Sequence, residues 1–286
     1  MTLEANLKDV TYGPYERNKL DLYQTAHGEG AAPVVIFFHG GGYVHGDKTL
    51  FAENPLLQDL LDAGISVVSS NYRFITEYSY PAPMEDGTRA IQFVRSMAKE
   101  WKLDENRIVT MGSSAGGHLA LWNALKGDLS RPESEDGIER FSSAVCGFVG
   151  FGTQASKDQR FYEGIYEGPH IQPRLAMFYG LESDEELYLP ENLATAYEAS
   201  AINHLTASAP PAFLTYAYSL DGPRIPADAE VGEVIHHPAH GYALQQKYKS
   251  FGIPCELRHK DDPPKEGEIV SFVKGVLEKC NKEVAF

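Results

Sequence analysis

Long apolar runs are missing from this chain of 286 residues. The strongest, Val34–Phe38, falls far short of the ~20 residues that a membrane-spanning helix needs. The first twenty residues, Met1 to Leu20, also lack the apolar stretch of a secretory leader. A cytoplasmic protein without a membrane span is therefore expected; a leader already removed would leave a secreted one. Basic residues are scarce as well: 25 Lys and Arg face 40 Asp and Glu, a net charge of −15. A field of that sign repels phosphate backbones, which argues against nucleic acid and anionic membranes as partners. Cysteine is rare too. Cys146, Cys255 and Cys280 are odd in number, far apart and without a C-x-x-C pair, so neither a disulfide framework nor a zinc knuckle follows from them.

What is present suits a large core, since 43% of the residues are hydrophobic. Strand-like and helix-like segments alternate along the chain, the pattern of a mostly parallel central sheet flanked by helices. Lys19–Tyr23 pairs with Asp9–Tyr12 as an opening hairpin. Val34–His39, Ile65–Ser70, Arg107–Met111, Ser143–Val149, Ala212–Tyr218 and Cys255–His259 read as later strands. Asn54–Ala63, Glu85–Trp101, His118–Leu125, Gly241–Phe251 and Glu266–Cys280 read as helices. The stretch 151–205 is irregular and rich in Tyr, Glu and Pro. It reads as a lid-like insertion over the active-site edge of a single α/β domain spanning 1–286. Its aromatic residues, among them Phe161, Tyr162, Tyr166, Phe178 and Tyr179, could wall an acyl pocket or simply pack beneath a loop. Ser219–Gly241 reads as a long loop, and loops of that length are usually functional or a sign of a mistaken assignment.

The sharpest motif is Gly112-Ser113-Ser114-Ala115-Gly116, a G-x-S-x-G match between an expected strand and an expected helix. A serine hydroxyl is a weak nucleophile, so it must stand on a tight turn where a base can reach it. Directly after another strand comes His39-Gly40-Gly41-Gly42-Tyr43. Consecutive glycines leave peptide N–H groups unshielded. Those of Gly41 and Gly42, with that of Ala115, would hold the oxyanion of acyl transfer. A phosphate-cradling loop is the competing reading, but no Gly-Lys-Ser/Thr ends it and the net charge is wrong. His39 is better placed to hold the loop than to take a proton.

The strings PVVIFFHGGGYVHGDK (33–48), NYR (71–73), PAPMEDGTRAIQFVR (81–95) and RIVTMGSSAGGHLAL (107–121) resemble the α/β-hydrolase superfamily. Within it they resemble the HGGG-bearing carboxylesterases of the hormone-sensitive-lipase-like and feruloyl-esterase-like branch. The resemblance implies an α/β-hydrolase fold and a Ser–His–Asp hydrolase of carboxylic esters, with no metal and no cofactor. It also implies a small-molecule ester substrate, Ser114 as nucleophile, and Gly41, Gly42 and Ala115 as oxyanion donors. Arg73, Asp86 and His118 match family positions as structural polar anchors. A homodimer is compatible with all of this.

The same family has its acid in the loop after strand seven and its histidine just after strand eight. Asp221 lies in the right loop. The histidine is a departure, because no His follows His259 to the end of the sequence. His236, His237 and His240 leave the same sheet edge as Ser114, and a base there keeps the order Ser…Asp…His. His237 is favoured, ahead of His236; His259 would lie inside a strand. A metal site at the paired histidines lacks further ligands at zinc-like spacing. The expected activity is hydrolysis of small or medium acyl or aryl esters through an acyl-enzyme. A peptidase or amidase of the same fold, or an impaired binding protein lacking the usual histidine, are the alternatives.

Overall fold

Val34, Ile36 and Phe38 face one hydrophobic cluster, while Val35 and Phe37, between them on the same strand, face another. That two-sided burial is why the strand reads as an unbroken apolar run, each such side chain contributing about 1.5–3 kcal/mol on burial. The computed structural model describes residues 2–26, 30–168 and 171–283. Its strands are β1 Leu7–Thr11, β2 Lys19–Tyr23, β3 Ala32–Phe38, β4 Ser66–Ser70, β5 Leu103–Ser113, β6 Gly147–Phe151, β7 Ala212–Thr215 and β8 Cys255–Arg258. They form one eight-stranded sheet in the order β1-β2-β4-β3-β5-β6-β7-β8. Strands β3 to β8 pair in parallel, and the β1–β2 hairpin joins the edge of β4 antiparallel.

The helices are α1 Pro55–Asp62, α2 Ala82–Ser96, α3 Ala115–Lys126, α4 Gln159–Ile165, α5 Leu175–Tyr179, α6 Pro190–Ala199, α7 Val231–His236, α8 Ala239–Ser250 and α9 Glu268–Glu283. Helices α2, α3 and α8 cover one face of the sheet, and α1 and α9 cover the other. Among the described residues no helix is long and apolar enough to cross a membrane. Helix α2 begins three residues earlier than the sequence suggests, with Pro83 in its first turn. A proline there forfeits no hydrogen bond, because the first N–H groups of a helix have no intrahelical acceptor.

Two expectations need correction. The segment 219–241 is not a continuous loop, since α7 forms within it and α8 already starts at Ala239. The reason is a third cluster, in which Ile225, Val234 and Ala239 pack with Tyr162, Ile165, Tyr166, Leu175 and Leu187 of the irregular insertion. The two weakly patterned stretches thus bury each other. Second, Cys146 and Cys280 form a disulfide, with 5.9 Å between their Cα atoms. It pins α9 beside the start of β6, a pairing that spacing along the chain gives no hint of.

Candidate active site

Strand β5 ends in a turn that only certain residues allow. Ser114 has φ 51° and ψ −116°, in the left-handed half of φ that costs a non-glycine residue strain. A Cβ on Gly112 would lie 2.2 Å from the Gly116 carbonyl oxygen, and one on Gly116 would lie 2.2 Å from that of Phe38. Both glycines of the motif are therefore steric necessities. The turn is fastened by the Ser114 N–H, which donates to the Phe151 carbonyl at 2.8 Å, while the Ser114 carbonyl accepts from His118 at 3.0 Å to start α3.

Facing this elbow is the glycine loop after β3. Gly41 and Gly42 have φ 116° and 61°, values natural to glycine. The Gly41 carbonyl accepts from Val44 at 3.0 Å, which curls the loop back. The peptide N–H groups of Gly41, Gly42 and Ala115 engage no acceptor among the described residues. His39 holds the loop: its Nδ1–H donates to the Gly40 carbonyl at 2.6 Å, and its Nε2 faces the Arg17 guanidinium at 3.3 Å. Burial pushes its pKa down to about 4, which keeps it neutral. Arg73 bonds Asp86 at 2.9 Å. His118 is tied between the Tyr43 hydroxyl at 2.9 Å and the Ala199 carbonyl at 3.1 Å.

The imidazole that reaches Ser114 belongs to His236, not to the favoured His237. Ser114 Oγ donates to His236 Nε2 at 2.8 Å. His237, next in the chain, is buried and turned away. Its Nδ1 accepts from the Ala239 N–H at 3.1 Å and so caps the start of α8. The last turn of α7 aims the two neighbouring side chains in different directions, and only the earlier one points at the elbow. His240 is buried against Tyr162 and donates to the Val234 carbonyl at 3.1 Å. His259 follows β8, where its N–H bonds the Asp262 carbonyl.

Among the described residues, Asp221 is not a hydrogen-bond partner of the His236 ring. It is exposed and makes no hydrogen bond to a histidine among the described residues; its charge is felt at His237 instead. The orienting acceptor on His236 is a backbone carbonyl, that of Gly232, 2.9 Å from Nδ1. Because a carbonyl can only accept, Nδ1 carries the proton and Nε2 presents a lone pair to the serine. Burial lowers the His236 pKa from its ordinary value, and the Gly232 bond opposes that shift.

Two further residues, which no motif marks, hold this histidine in place. Gln154 Nε2 donates to the Ile235 carbonyl at 3.0 Å and to the Gly152 carbonyl at 3.1 Å, bracing the residue before the base. Gly152 has φ 57°, and a Cβ there would stand 3.0 Å from His236 Cδ2. A small pocket of about 40 Å³ opens beside Ser114, lined by Gly42, Tyr43, Lys157, Arg174 and Phe178 among others. A cavity of about 860 Å³ lies elsewhere, around Tyr15, Arg89 and Trp122, and does not include the serine.

The BD-FAE family model matches residues 20–219, more than half of the chain. The chain belongs to the BD-FAE family. Its fold is the α/β-hydrolase fold: a carbohydrate esterase from gut microbiota, in truncated form, superposes with a TM-score of 0.74 at 19% identity, over 98% of this chain and 97% of that one. An acetyl ester-xyloside bifunctional hydrolase from Caldicellulosiruptor lactoaceticus gives a TM-score of 0.64 at 26% identity, over 94% and 88%. In sequence, this BD-FAE member is 29% identical to the probable carboxylic ester hydrolase LipM of Mycobacterium tuberculosis, over 73% of this chain and 46% of the relative. It is 27% identical to the probable isoprenylcysteine alpha-carbonyl methylesterase ICMEL1 of Arabidopsis thaliana, over 78% and 45%. The chain thus spans about half the length of the curated relatives it matches.

Proposed function

We propose that this chain hydrolyses carboxylic esters through an acyl-enzyme on Ser114, with His236 as the base. The observation that carries the reading is the 2.8 Å contact between Ser114 Oγ and His236 Nε2. In this scheme Nε2 takes the hydroxyl proton as Oγ bonds the ester carbonyl carbon. The free N–H groups of Gly41, Gly42 and Ala115 receive the oxyanion. The imidazolium then gives its proton to the departing alcohol, and water, activated by the same ring, releases the acid. The named activities of the relatives support this chemistry. The small pocket beside the serine favours a short acyl group.

The Gly232 carbonyl stands where such enzymes ordinarily have a carboxylate. It fixes the tautomer, but it stabilises the imidazolium less than an anion would. The site therefore operates as a dyad with a backbone orienter. The disulfide between Cys146 and Cys280 favours an oxidising compartment over the cytoplasm expected from the sequence.

The test is a burst assay with p-nitrophenyl acetate on the wild type, Ser114→Ala and His236→Ala. Turnover by the wild type and its loss in both variants is the expected result. An inert wild type would overturn the reading in favour of a binding protein on a hydrolase fold.

A further inference from the structure

The pocket beside Ser114 is lined by an ammonium group that has no counter-charge among the described residues. Lys157 follows β6 and is only 7% exposed. Among the described residues its Nζ has one hydrogen-bond partner, Gln154 Oε1 at 3.5 Å, too long for a strong bond. The rest of its surroundings are aromatic: Nζ lies 5.4 Å from the ring centres of both Tyr43 and Phe178. Among the described residues no carboxylate pairs with it. The other buried lysine, Lys48, is treated quite differently, with Asp9 at 2.8 Å and Asp21 at 3.0 Å. An unpaired buried cation is costly, so its place in the wall of the reaction pocket calls for a partner that arrives from outside. A second cation stands at the mouth. Arg174 is exposed, has no ion-pair partner among the described residues, and lies over Gly42, its Nη1 2.6 Å from where a Cβ would be.

We propose that Lys157 is a specificity-determining residue for an anionic acyl group, so that this site takes monoesters of short dicarboxylic acids. The free carboxylate pairs with Lys157 Nζ while the ester carbonyl lies at Ser114, and Arg174 draws the anion in. The pocket's volume, about 40 Å³, holds roughly three waters and so a chain of a few heavy atoms. The inference rests on the ester-hydrolase reading. Overall, water is added across the acyl–oxygen bond, giving the alcohol and the diacid.

Burial pushes the Lys157 pKa down to about 7, so its charge is present below neutrality and lost above it. The buried tyrosines and histidines around it stay neutral over that range, and Asp158, next in the chain, is paired with Arg160. Tyr43 and Tyr179 are raised by burial. His118 is held well below its ordinary value, and His240 is pushed down to about 3, chiefly by burial. His236 affects all substrates alike and cancels in a ratio.

The test compares kcat/KM for monoethyl succinate with that for ethyl levulinate, its neutral near-isostere, by proton release near pH 6 and near pH 9. In the wild type the succinate monoester should be preferred by about tenfold or more near pH 6, the worth of one charge-assisted bond, and the preference should shrink severalfold near pH 9. Lys157→Met should abolish the ratio. A wild-type ratio at or below one near pH 6, or a ratio indifferent to both pH and Lys157→Met, overturns the proposal. Should the variant fail to fold, the wild-type pH dependence still decides. Cleavage of levulinate without preference sinks this inference alone. Failure on both esters and on p-nitrophenyl acetate sinks the hydrolase reading with it.

Discussion

His236 donates from Nδ1 to the carbonyl of Gly232, 2.9 Å away and one turn back on its own helix. The ring is thus oriented by the short helix that carries it, not by a side chain from another strand. Its tautomer depends on whether α7 is formed, and α7 in turn rests on Val234 packing against the insertion. The packing of α7 on that insertion and the placement of the His236 ring are therefore linked.

That arrangement separates the histidines experimentally. His236→Ala should lower kcat/KM on p-nitrophenyl acetate by three to six powers of ten, roughly as much as Ser114→Ala, and the double variant should lose little more, because the two groups act as a unit. Asp221→Asn should stay within about twofold of the wild type, the usual range for an exposed change away from the reacting groups. Steady-state rates on purified variants check this. A large loss with Asp221→Asn would mean that a rearranged loop brings the carboxylate to the ring.

The pH profile follows from the same ring. His236 must be neutral to accept the serine proton, and burial sets its pKa below 6.5. Activity should therefore persist as pH falls past 6.5 and drop only lower, giving an acid limb in kcat/KM with its midpoint under the ordinary imidazole value. Stability behaves differently. His39 is held neutral in the fold, with a pKa near 4 against an ordinary 6.5, so the unfolded chain binds its proton first as pH falls. Stability should decline between about pH 6.5 and 4, by up to about 3 kcal/mol from this residue alone. Urea midpoints across that window test it, and His39→Gln should flatten the slope.

The serine elbow is legible in the sequence because sterics leave little choice there: Gly112 and Gly116 each sit where a Cβ would meet a backbone oxygen 2.2 Å away. The strand pattern is legible for a similar reason, since a sheet covered on both faces needs unbroken apolar strands. Which histidine faces the serine is not, because His236 and His237 differ only in which way the end of a six-residue helix points them. That helix exists through tertiary packing, with Val234 as its one buried residue. Lys157 is not legible because a lysine between polar residues reads as surface; its burial is set by Tyr43 and Phe178, distant in the chain. The disulfide joins residues 134 apart in sequence, a distance over which spacing carries no information.

Disrupting that disulfide should cost stability and spare the chemistry. Cys146 precedes β6 at the edge opposite the serine. Removing a cross-link that closes so long a loop destabilises a protein by about 2–4 kcal/mol. Cys280→Ser should therefore lower the Tm by several degrees, and added reductant should do the same to the wild type but not to the variant. Initial esterase rates at a temperature where both remain folded should be equal. An unchanged Tm in reductant would show that the bond contributes nothing.

Gly152→Ala tests how closely the base is held. The new methyl would press on His236 Cδ2 from 3.0 Å at a backbone φ of 57° that alanine tolerates poorly. The ring must then move away from Gly152 and loosen its 2.8 Å contact with Ser114. A misplacement approaching 1 Å costs about a hundredfold in rate, so kcat should fall by one to two powers of ten. KM for a short acetyl ester should change little, because the glycine lies behind the ring and not in the acyl pocket. Gln154→Leu should weaken the same support from the other side, by freeing the Ile235 carbonyl that Gln154 now braces. If kcat survives Gly152→Ala with folding intact, the imidazole has slack that the geometry does not suggest, and positioning of His236 is not what limits the reaction.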